Sequence, residues 1–416
     1  MTAPSLTDLS RAFARIGILS FGGPAAQIAL MHRDLVEDRK WVSEQDYLSA
    51  LSFCMLLPGP EAMQLATWIG WRLHGTLGGL IAGLLFVLPG AAVVLALAMV
   101  YAAFGQIPLI AALFTGVQAA VVVVVIEALL RVSRRALTSR SHWITAVLAF
   151  AALFVFGLPF PLVILTAGLY GFLTATATAQ VLDTPRPWGQ TLRAVAVWGA
   201  VWLVPLAILV TYHPGIHADI GLYFSKLALL TFGGAYAVLA WMSQTVVTEL
   251  HWLTPKQMMD GLGLAETTPG PLILVTEFVA YVAAWQKGGV ASGLFAAIIA
   301  LWMTFAPCFL WIFAGAPWIA RLTAAPRLSG ALRAITAAVV GVIANLSLWF
   351  AAHVVFASVG RIDRAPVHMI LPDPMSVNLF PLTLALAAAY LLLRLHLALP
   401  LVLALAALAS ATASFL

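Results

Sequence analysis

Charged side chains are scarce in this sequence. Asp, Glu, Lys and Arg together make up 9% of the 416 residues, whereas hydrophobic residues make up 62%. A soluble domain carries about 25% charged residues, because its surface must stay hydrated. A charge in the middle of a bilayer, by contrast, costs several kcal/mol. The composition therefore excludes a water-soluble globule and indicates an integral membrane protein.

Cysteine is almost absent, and histidine is scattered. Cys54 and Cys308 lie in apolar stretches far apart in the chain, where we expect small buried side chains rather than a disulfide framework. No Cys/His spacing suits a metal, so neither a metal nor another cofactor is predicted. The first ten residues also lack the basic-then-apolar pattern of a removable signal. The net charge of +5 is explained by basic cytoplasmic loops, so no nucleic-acid partner is predicted.

Apolar stretches alternate with polar loops along the whole chain. At roughly 30 residues for one span and its loop, this length corresponds to about a dozen helices. The predicted spans are 12–31, 46–74 (interrupted), 76–104, 108–131, 142–157, 160–179, 192–212, 220–243, 257–285 (interrupted), 290–314, 330–358, 376–394 and 397–416. We therefore predict an all-α integral membrane protein with about 13 transmembrane helices.

An internal repeat organises the sequence. A shift of 211 residues aligns 13–60 with 224–271 without a gap, and 14 of the 48 aligned pairs are identical. The identities include Phe-Gly-Gly at 21–23 and 232–234, and Pro-Gly-Pro at 58–60 and 269–271. Such similarity indicates a duplication.

Seven predicted spans precede the second copy, so we expect it to be inverted in the membrane. The predicted organisation is a first repeat over 1–182, a connecting helix over 183–215, and an inverted second repeat over 216–416. Basic loops, such as the one with Arg131, Arg134, Arg135 and Arg140, are expected to be cytoplasmic. The loop 32–46 fits poorly, because it is placed outside although it contains three basic residues.

The Pro-Gly-Pro motifs interrupt apolar segments. Pro lacks an N–H group and clashes with the preceding helical turn, while Gly permits unusual dihedral angles. Within a membrane such breaks survive only when they are buried in protein or line a watery cavity. Half-helices that begin at Pro60 and Pro271 would direct free N–H groups at a shared oxyanion. The alternative is a simple kink that binds no ligand.

Phe-Gly-Gly gives each half a second irregularity, where paired glycines either allow close helix packing or expose N–H groups. The hydroxyls of Ser20 and Thr231 correspond under the shift and can donate to an anion. Arg15 and Lys226 also correspond and would supply two positive charges, the alternative for both being interfacial snorkelling. The predicted substrate-binding residues are Arg15, Ser20, Phe21, Gly22, Gly23, Pro58, Gly59, Pro60, Lys226, Thr231, Phe232, Gly233, Gly234, Pro269, Gly270 and Pro271.

Carboxylates cluster around the two breaks and suggest proton coupling, because burial favours a protonated carboxyl group. Glu61 follows the first Pro-Gly-Pro directly, Glu266 precedes the second, and Glu277 follows it. We predict Glu61 and Glu266 as the proton-coupling residues. The alternative for Glu61 is an acid that only complements a helix N-terminus. Glu127 and Arg131, four residues apart, are expected to form a structural pair.

These motifs resemble those of the chromate ion transporter family. The resemblance rests on Phe-Gly-Gly-Pro-Ala-Ala-Gln-Ile (21–28), Leu-Leu-Pro-Gly-Pro-Glu-Ala-Met-Gln-Leu-Ala (56–66), Phe-Val-Leu-Pro-Gly (86–90) and Thr-Thr-Pro-Gly-Pro (267–271). It implies a long-chain protein with two inverted halves in the bacterial cytoplasmic (inner) membrane. It further implies export of chromate from the cytoplasm, resistance to chromate, and proton-coupled antiport. Ala235 replaces Pro24 and Leu272 replaces Glu61 in the second half, so the two half-sites are not equivalent.

Three alternatives remain at this point. Sulfate is a tetrahedral dianion like chromate, so a carrier of sulfate or another oxyanion fits the same motifs. A membrane-embedded enzyme would require clustered metal ligands or a nucleophile with a base, and a channel would show uncoupled flux. The expected partners are chromate, protons and the lipid bilayer, and a homo-oligomer stays open.

Overall fold

The computed structural model describes residues 4–175, 188–232, 234–323 and 325–415, and most of these residues are helical. Five helical segments are long and apolar enough to cross a membrane, and shorter apolar helices accompany them. The five segments are Glu61–Phe104, Pro108–Ala136, Trp188–Tyr212, Leu272–Leu322 and Pro326–Val355. This confirms a helical membrane protein, whereas the count of 13 spans and the inversion stay predictions.

The helices occur in the following order. The first eight are α1 (Leu6–Leu19), α2 (Gly23–His32), α3 (Glu44–Cys54), α4 (Glu61–Phe104), α5 (Pro108–Ala136), α6 (Arg140–Phe154), α7 (Phe160–Thr174) and α8 (Trp188–Tyr212). The others are α9 (Ile216–Leu230), α10 (Ala235–Gln244), α11 (Pro255–Thr267), α12 (Val275–Gly315), α13 (Ile319–Thr323), α14 (Pro326–Val355), α15 (Leu379–Ala389) and α16 (Leu399–Ala413). Short π-helical turns, Arg33–Asp38, Thr245–Glu249 and Tyr390–Arg394, extend α2, α10 and α15.

The chain forms two compact units that do not coincide with the two sequence repeats. The first unit contains Met1–Met99, Ala177–Ala235 and Thr268–Ser329, and the second contains Val100–Thr176, Tyr236–Thr267 and Gly330–Leu416. The first unit therefore holds both Phe-Gly-Gly motifs and both Pro-Gly-Pro motifs. The predicted boundary at 182 lies outside the described residues.

Helix α4 reverses direction within its length. His74 and Gly75 have non-helical dihedral angles, and a methyl group on Gly70 would lie 2.2 Å from the carbonyl oxygen of Gly78. In a straight helix these two residues would be about 12 Å apart. The segment 61–73 therefore packs antiparallel against 76–104. At about 20 Å, this first segment is shorter than the hydrocarbon core of a bilayer.

Helix α12 reverses in the same way. Gly288 and Gly289 are non-helical, and a methyl group on Gly293 would lie 2.8 Å from the ring of Tyr281. The segment 275–287 therefore packs antiparallel against 290–315. Small residues permit such close contact between apolar helices, so each repeat contains an interrupted helix followed by a tight helical hairpin.

Two breaks fall inside spans that we predicted as continuous. The predicted span 12–31 is divided between α1 and α2, and the predicted span 220–243 is divided between α9 and α10. Both interruptions lie at Phe-Gly-Gly, where left-handed glycines end the helical geometry.

The second unit contains two β-strands, which the predicted all-α fold did not include. Strands β1 (Val359–Arg364) and β2 (Val367–Pro372) form an antiparallel hairpin between α14 and α15. Its charged and proline residues are typical of a loop, which is why the sequence did not indicate strands. In the same unit Arg131 pairs with Glu127, which confirms the predicted structural pair.

Candidate functional site

Helices α1 and α9 end in the same way. The Ser20 hydroxyl donates to the carbonyl oxygen of Ile16, and the Thr231 hydroxyl donates to that of Leu227, each at 2.6 Å. Each hydroxyl therefore uses its only hydrogen inside its own helix. The predicted donation to an anion would require exchange of these bonds.

The glycines that follow adopt conformations that other residues rarely reach. Gly22, Gly23 and Gly234 have φ angles of 85°, 77° and 93°, whereas Gly233 lies outside the described residues. Positive φ carries little steric cost for glycine alone. Phe-Gly-Gly is therefore a sharp turn between two helices in the first copy, and Gly234 shows the same geometry in the second.

Each Pro-Gly-Pro motif donates a backbone hydrogen bond to the helix end of the other copy. The N–H of Gly59 donates to the carbonyl oxygen of Thr231 at 2.9 Å, and the N–H of Gly270 donates to that of Ser20 at 2.8 Å. The two donors are equivalent under the 211-residue shift, and so are the two acceptors. A contact in which equivalent groups exchange roles implies a local two-fold relation. The structure thus brings together four motifs that the sequence assigned to one site.

This pairing changes where free donors lie. Pro58 and Pro60 have no N–H, and the N–H of Gly59 is occupied by Thr231. The first break therefore offers no free N–H of its own in this conformation, and the second repeats the pattern. Donors remain in the first turns that follow, at 61–63 and 272–273, because the first N–H groups of a helix have no intrahelical partner.

Two glutamine side chains donate to backbone carbonyl oxygens at the breaks, and the sequence did not predict a role for either. Gln27 Nε2 donates to the carbonyl oxygens of Gly270 at 2.7 Å and Ser20 at 3.3 Å. Gln64 Nε2 donates to that of Pro58 at 2.7 Å. Both side chains are buried, and neither Oε1 atom has a hydrogen-bond partner in the described chain. The signal in the sequence was an amide side chain inside an apolar segment next to each motif.

The predicted cations lie on exposed positions of α1 and α9. The Arg15 side chain is 66% exposed, and its guanidinium is 3.9 Å from the Asp34 carboxylate, which also pairs with Arg39. Lys226 is exposed on α9. Arg15 is therefore held in an ion pair in this conformation, and the predicted role of both cations in anion binding stays a prediction.

The three carboxyl groups near the breaks occupy different surroundings. Glu61 is partly exposed, and its Oε1 is 3.7 Å from where a methyl group on Gly234 would lie. Glu266 belongs to the second unit and accepts a hydrogen bond from the Tyr236 hydroxyl at 2.9 Å. Glu277 is buried, and neither of its carboxyl oxygens has a partner among the described residues. Glu61 therefore lies close to the turn of the other copy.

Together these features define an internally duplicated, polytopic helical membrane protein whose two copies meet at paired helix breaks. A family model described as "Chromate transporter" matches residues 7–172 and 218–411, which is one match in each copy. The chain belongs to the chromate transporter family.

Several curated relatives support this assignment. A "Chromate transport protein" of Cupriavidus metallidurans is 32% identical over 344 residues, which cover 82% of this chain and 82% of the relative. A "Probable chromate transport protein" of Synechococcus elongatus is 31% identical, covering 82% and 84%. A "Chromate transport protein" of Pseudomonas aeruginosa is 36% identical, covering 69% of both chains. These relatives are transport proteins, which confirms the prediction of a transporter rather than an enzyme. No solved structure matches the chain.

Proposed function

We propose that this protein exports chromate from the bacterial cytoplasm across the inner membrane by alternating access, coupled to the proton gradient, and so confers chromate resistance. The family and the named relatives support the substrate. The observation that carries the mechanism is the reciprocal pair of hydrogen bonds from Gly59 to Thr231 and from Gly270 to Ser20. Two inverted copies that meet at helix breaks can exchange environments at little net energy difference.

The anion binds next to the helix starts that follow the two breaks. The first turns at 61–63 and 272–273 supply N–H groups and the positive ends of helix dipoles. When the halves move, the crossed bonds separate, and the N–H groups of Gly59 and Gly270 become additional donors. Arg15 and Lys226, at equivalent positions of α1 and α9, attract the dianion toward these turns.

Glu61 is the carboxyl group of the predicted pair that is best placed to respond to the anion. It is the first residue of α4 and lies close to Gly234 of the other copy. A negative charge here would repel chromate, so the charge of Glu61 and the occupancy of the anion site are linked. Glu266, which is bonded to Tyr236 in the second unit, stays the second predicted proton-coupling residue.

Uptake of radiolabelled chromate into inside-out membrane vesicles tests this proposal. Vesicles that contain the protein should accumulate chromate when a proton gradient is imposed, and Arg15→Ala and Lys226→Ala should each reduce the initial rate about tenfold at low chromate, as expected for roughly 1.4 kcal/mol of lost attraction. Arg364→Ala, which alters an exposed cation of the β-hairpin, is the matched control and should retain the rate.

Two outcomes would contradict the proposal. Uptake no greater than in vesicles without the protein would exclude chromate as the substrate. Uptake that is unchanged when the proton gradient is collapsed would instead indicate an uncoupled pathway, such as a channel. A parallel measurement with labelled sulfate separates a chromate transporter from a general carrier of tetrahedral dianions.

A further inference from the structure

A carboxyl group is enclosed in the half-helix that follows the second break. Glu277 is the third residue of α12, directly after the 3₁₀ turn Leu272–Leu274 that succeeds Pro271. Its side chain is 1% exposed, and neither carboxyl oxygen has a hydrogen-bond partner in the described part of the chain. The geometry thus encloses an ionisable group without a donor or counter-ion among the described residues.

The neighbours of Glu277 along its own helical face are buried. These residues, three and four positions away, are Ile273 and Leu274 of the 3₁₀ turn and Ala280 and Tyr281 of α12. Across the helical hairpin, Thr304 lies 3.5 Å from the neighbouring Thr276 hydroxyl. Thr276 donates its own hydrogen to Ile273, so the hydroxyl next to Glu277 is already engaged.

No hydrogen bond or ion pair joins Glu277 to a titratable group on the described elements packed against α12. His217 on α9 contacts Ser292, near the opposite end of the hairpin, and no ion pair or hydrogen bond joins Glu277 to any described residue. The titratable and charged groups on these packed elements include Glu61, Arg72 and His74 on α4, Arg193 and Tyr212 on α8, His217, Asp219, Tyr223 and Lys226 on α9, and Tyr281, Lys287 and Cys308 on α12.

We propose that Glu277 takes up and releases a coupling proton during the transport cycle, in addition to the two carboxyl groups named above, an inference that rests on the proposed function. An ionised carboxylate is strongly disfavoured where no water, donor or cation reaches it. In this enclosed arrangement the group therefore holds a proton. It can release that proton only when the half-helix moves and water enters. Protonation is thus tied to the conformation of the second break, which is the link that coupling requires.

The other two carboxyl groups lack this link. Glu61 is already partly exposed, and Glu266 has the Tyr236 hydroxyl as a donor, so neither carboxyl group is both enclosed and without a hydrogen-bond donor. When the two helical hairpins are aligned at their reversals, His74–Gly75 with Gly288–Gly289, the position equivalent to Glu277 is Met63. A carboxyl group at this position is therefore present in the second copy alone.

Proteoliposomes with the purified full-length protein test the proposal through two assays. One assay follows chromate accumulation driven by an imposed pH gradient, and the other follows exchange of labelled for unlabelled chromate at equal pH on both sides. Glu277→Gln should lose gradient-driven accumulation but retain exchange, because the neutral amide supports the conformational change without carrying a proton. Glu277→Asp, which restores a carboxyl group, should recover part of the accumulation.

Glu249→Gln is the matched control, since Glu249 is exposed in the π-helical turn after α10 and should retain both activities. Gradient-driven accumulation by Glu277→Gln equal to that of the unmodified protein would overturn the proposal. So would loss of exchange in both Glu277 variants, which indicates a structural role, or accumulation driven by a sodium gradient instead of a pH gradient. If the unmodified protein moves no chromate in either assay, the proposed function itself fails, which is a separate result.

Discussion

The two copies of the repeat share their backbone geometry but carry different polar side chains near the breaks. Each copy ends a helix at Ser20 or Thr231, turns at glycines, and bonds its Pro-Gly-Pro glycine to the other copy. The buried amides, however, belong to the first copy, where Val238 is the counterpart of Gln27. The enclosed carboxyl group belongs to the second. The symmetry is therefore retained in the backbone at the breaks, whereas the polar side chains beside them differ between the copies.

The copies also differ in length after the break. The segments 61–73 and 275–287 have the same number of residues, but the second is preceded by the 3₁₀ turn Leu272–Leu274. This extra turn shifts the correspondence from 211 to 214 residues. It places Glu277 in the helix at the level of Met63 in the first copy, which a simple alignment of the two Pro-Gly-Pro motifs does not reveal.

Replacement of the glycine by alanine should destabilise the protein more at the second break than at the first. Gly270 has a φ of 92°, and a methyl group there would lie 2.9 Å from Leu274 Cδ1 and 3.2 Å from Gly90 Cα. Gly270→Ala should lower the free energy of unfolding by about 3 kcal/mol, through backbone strain and overpacking. Gly59→Ala should cost about 2 kcal/mol, because the atoms nearest the added methyl group, Gln64 Nε2 and Cys308 Sγ, belong to side chains, whereas at Gly270 the backbone of Gly90 is also close.

Thermal unfolding of the purified protein in detergent measures this difference. Gly199→Ala is the control, because Gly199 lies within α8 and a methyl group there meets open space. It should leave the unfolding temperature unchanged or raise it slightly, since alanine favours helix. Equal unfolding temperatures for Gly270→Ala and Gly199→Ala would contradict the tight packing of the second break.

Replacement of Gln27 should produce a smaller effect than Gly270→Ala. Gln27→Leu removes the donor to Gly270 and Ser20 and leaves buried carbonyl oxygens with fewer partners, so it should destabilise the fold by about 2 kcal/mol. The same unfolding assay should give Val238→Leu a cost below about 1 kcal/mol, since that substitution exchanges one apolar side chain for another. Similar losses in both variants would show that Gln27 acts through packing alone.

Much of the backbone could be predicted from the sequence, because proline and glycine determine it locally. The Pro-Gly-Pro breaks and the boundary between the predicted spans at 74 and 76 match the structure, which reverses at His74 and Gly75. The crossed bonds could not be predicted, since they join residues that are close only after folding. Because these bonds occupy the N–H groups of Gly59 and Gly270, the free backbone N–H donors lie instead in the helix starts that follow.

The side chains of the candidate site were harder to predict. Arg15 is predicted to bind the anion because of its charge, and in the structure its guanidinium is 3.9 Å from the Asp34 carboxylate, so its role at the anion site stays a prediction. Gln27 and Gln64 are uncharged and gave no periodic signal, although their burial makes them the direct partners of the breaks. Glu277 appeared as one of three carboxyl groups, and only its complete enclosure distinguishes it from Glu61 and Glu266.

The central claim is that two inverted copies meet at their paired breaks, and the sidedness of equivalent residues tests it most directly. Asp38 and Glu249 correspond under the 211-residue shift, and both are exposed at the ends of the π-helical turns. Asp38→Cys and Glu249→Cys are introduced separately into a chain whose two native cysteines are replaced by alanine. A membrane-impermeant maleimide added to intact cells should label Asp38→Cys, whereas Glu249→Cys should react only after the membrane is permeabilised. Labelling of both variants from the same side would contradict the inversion and the mechanism built on it.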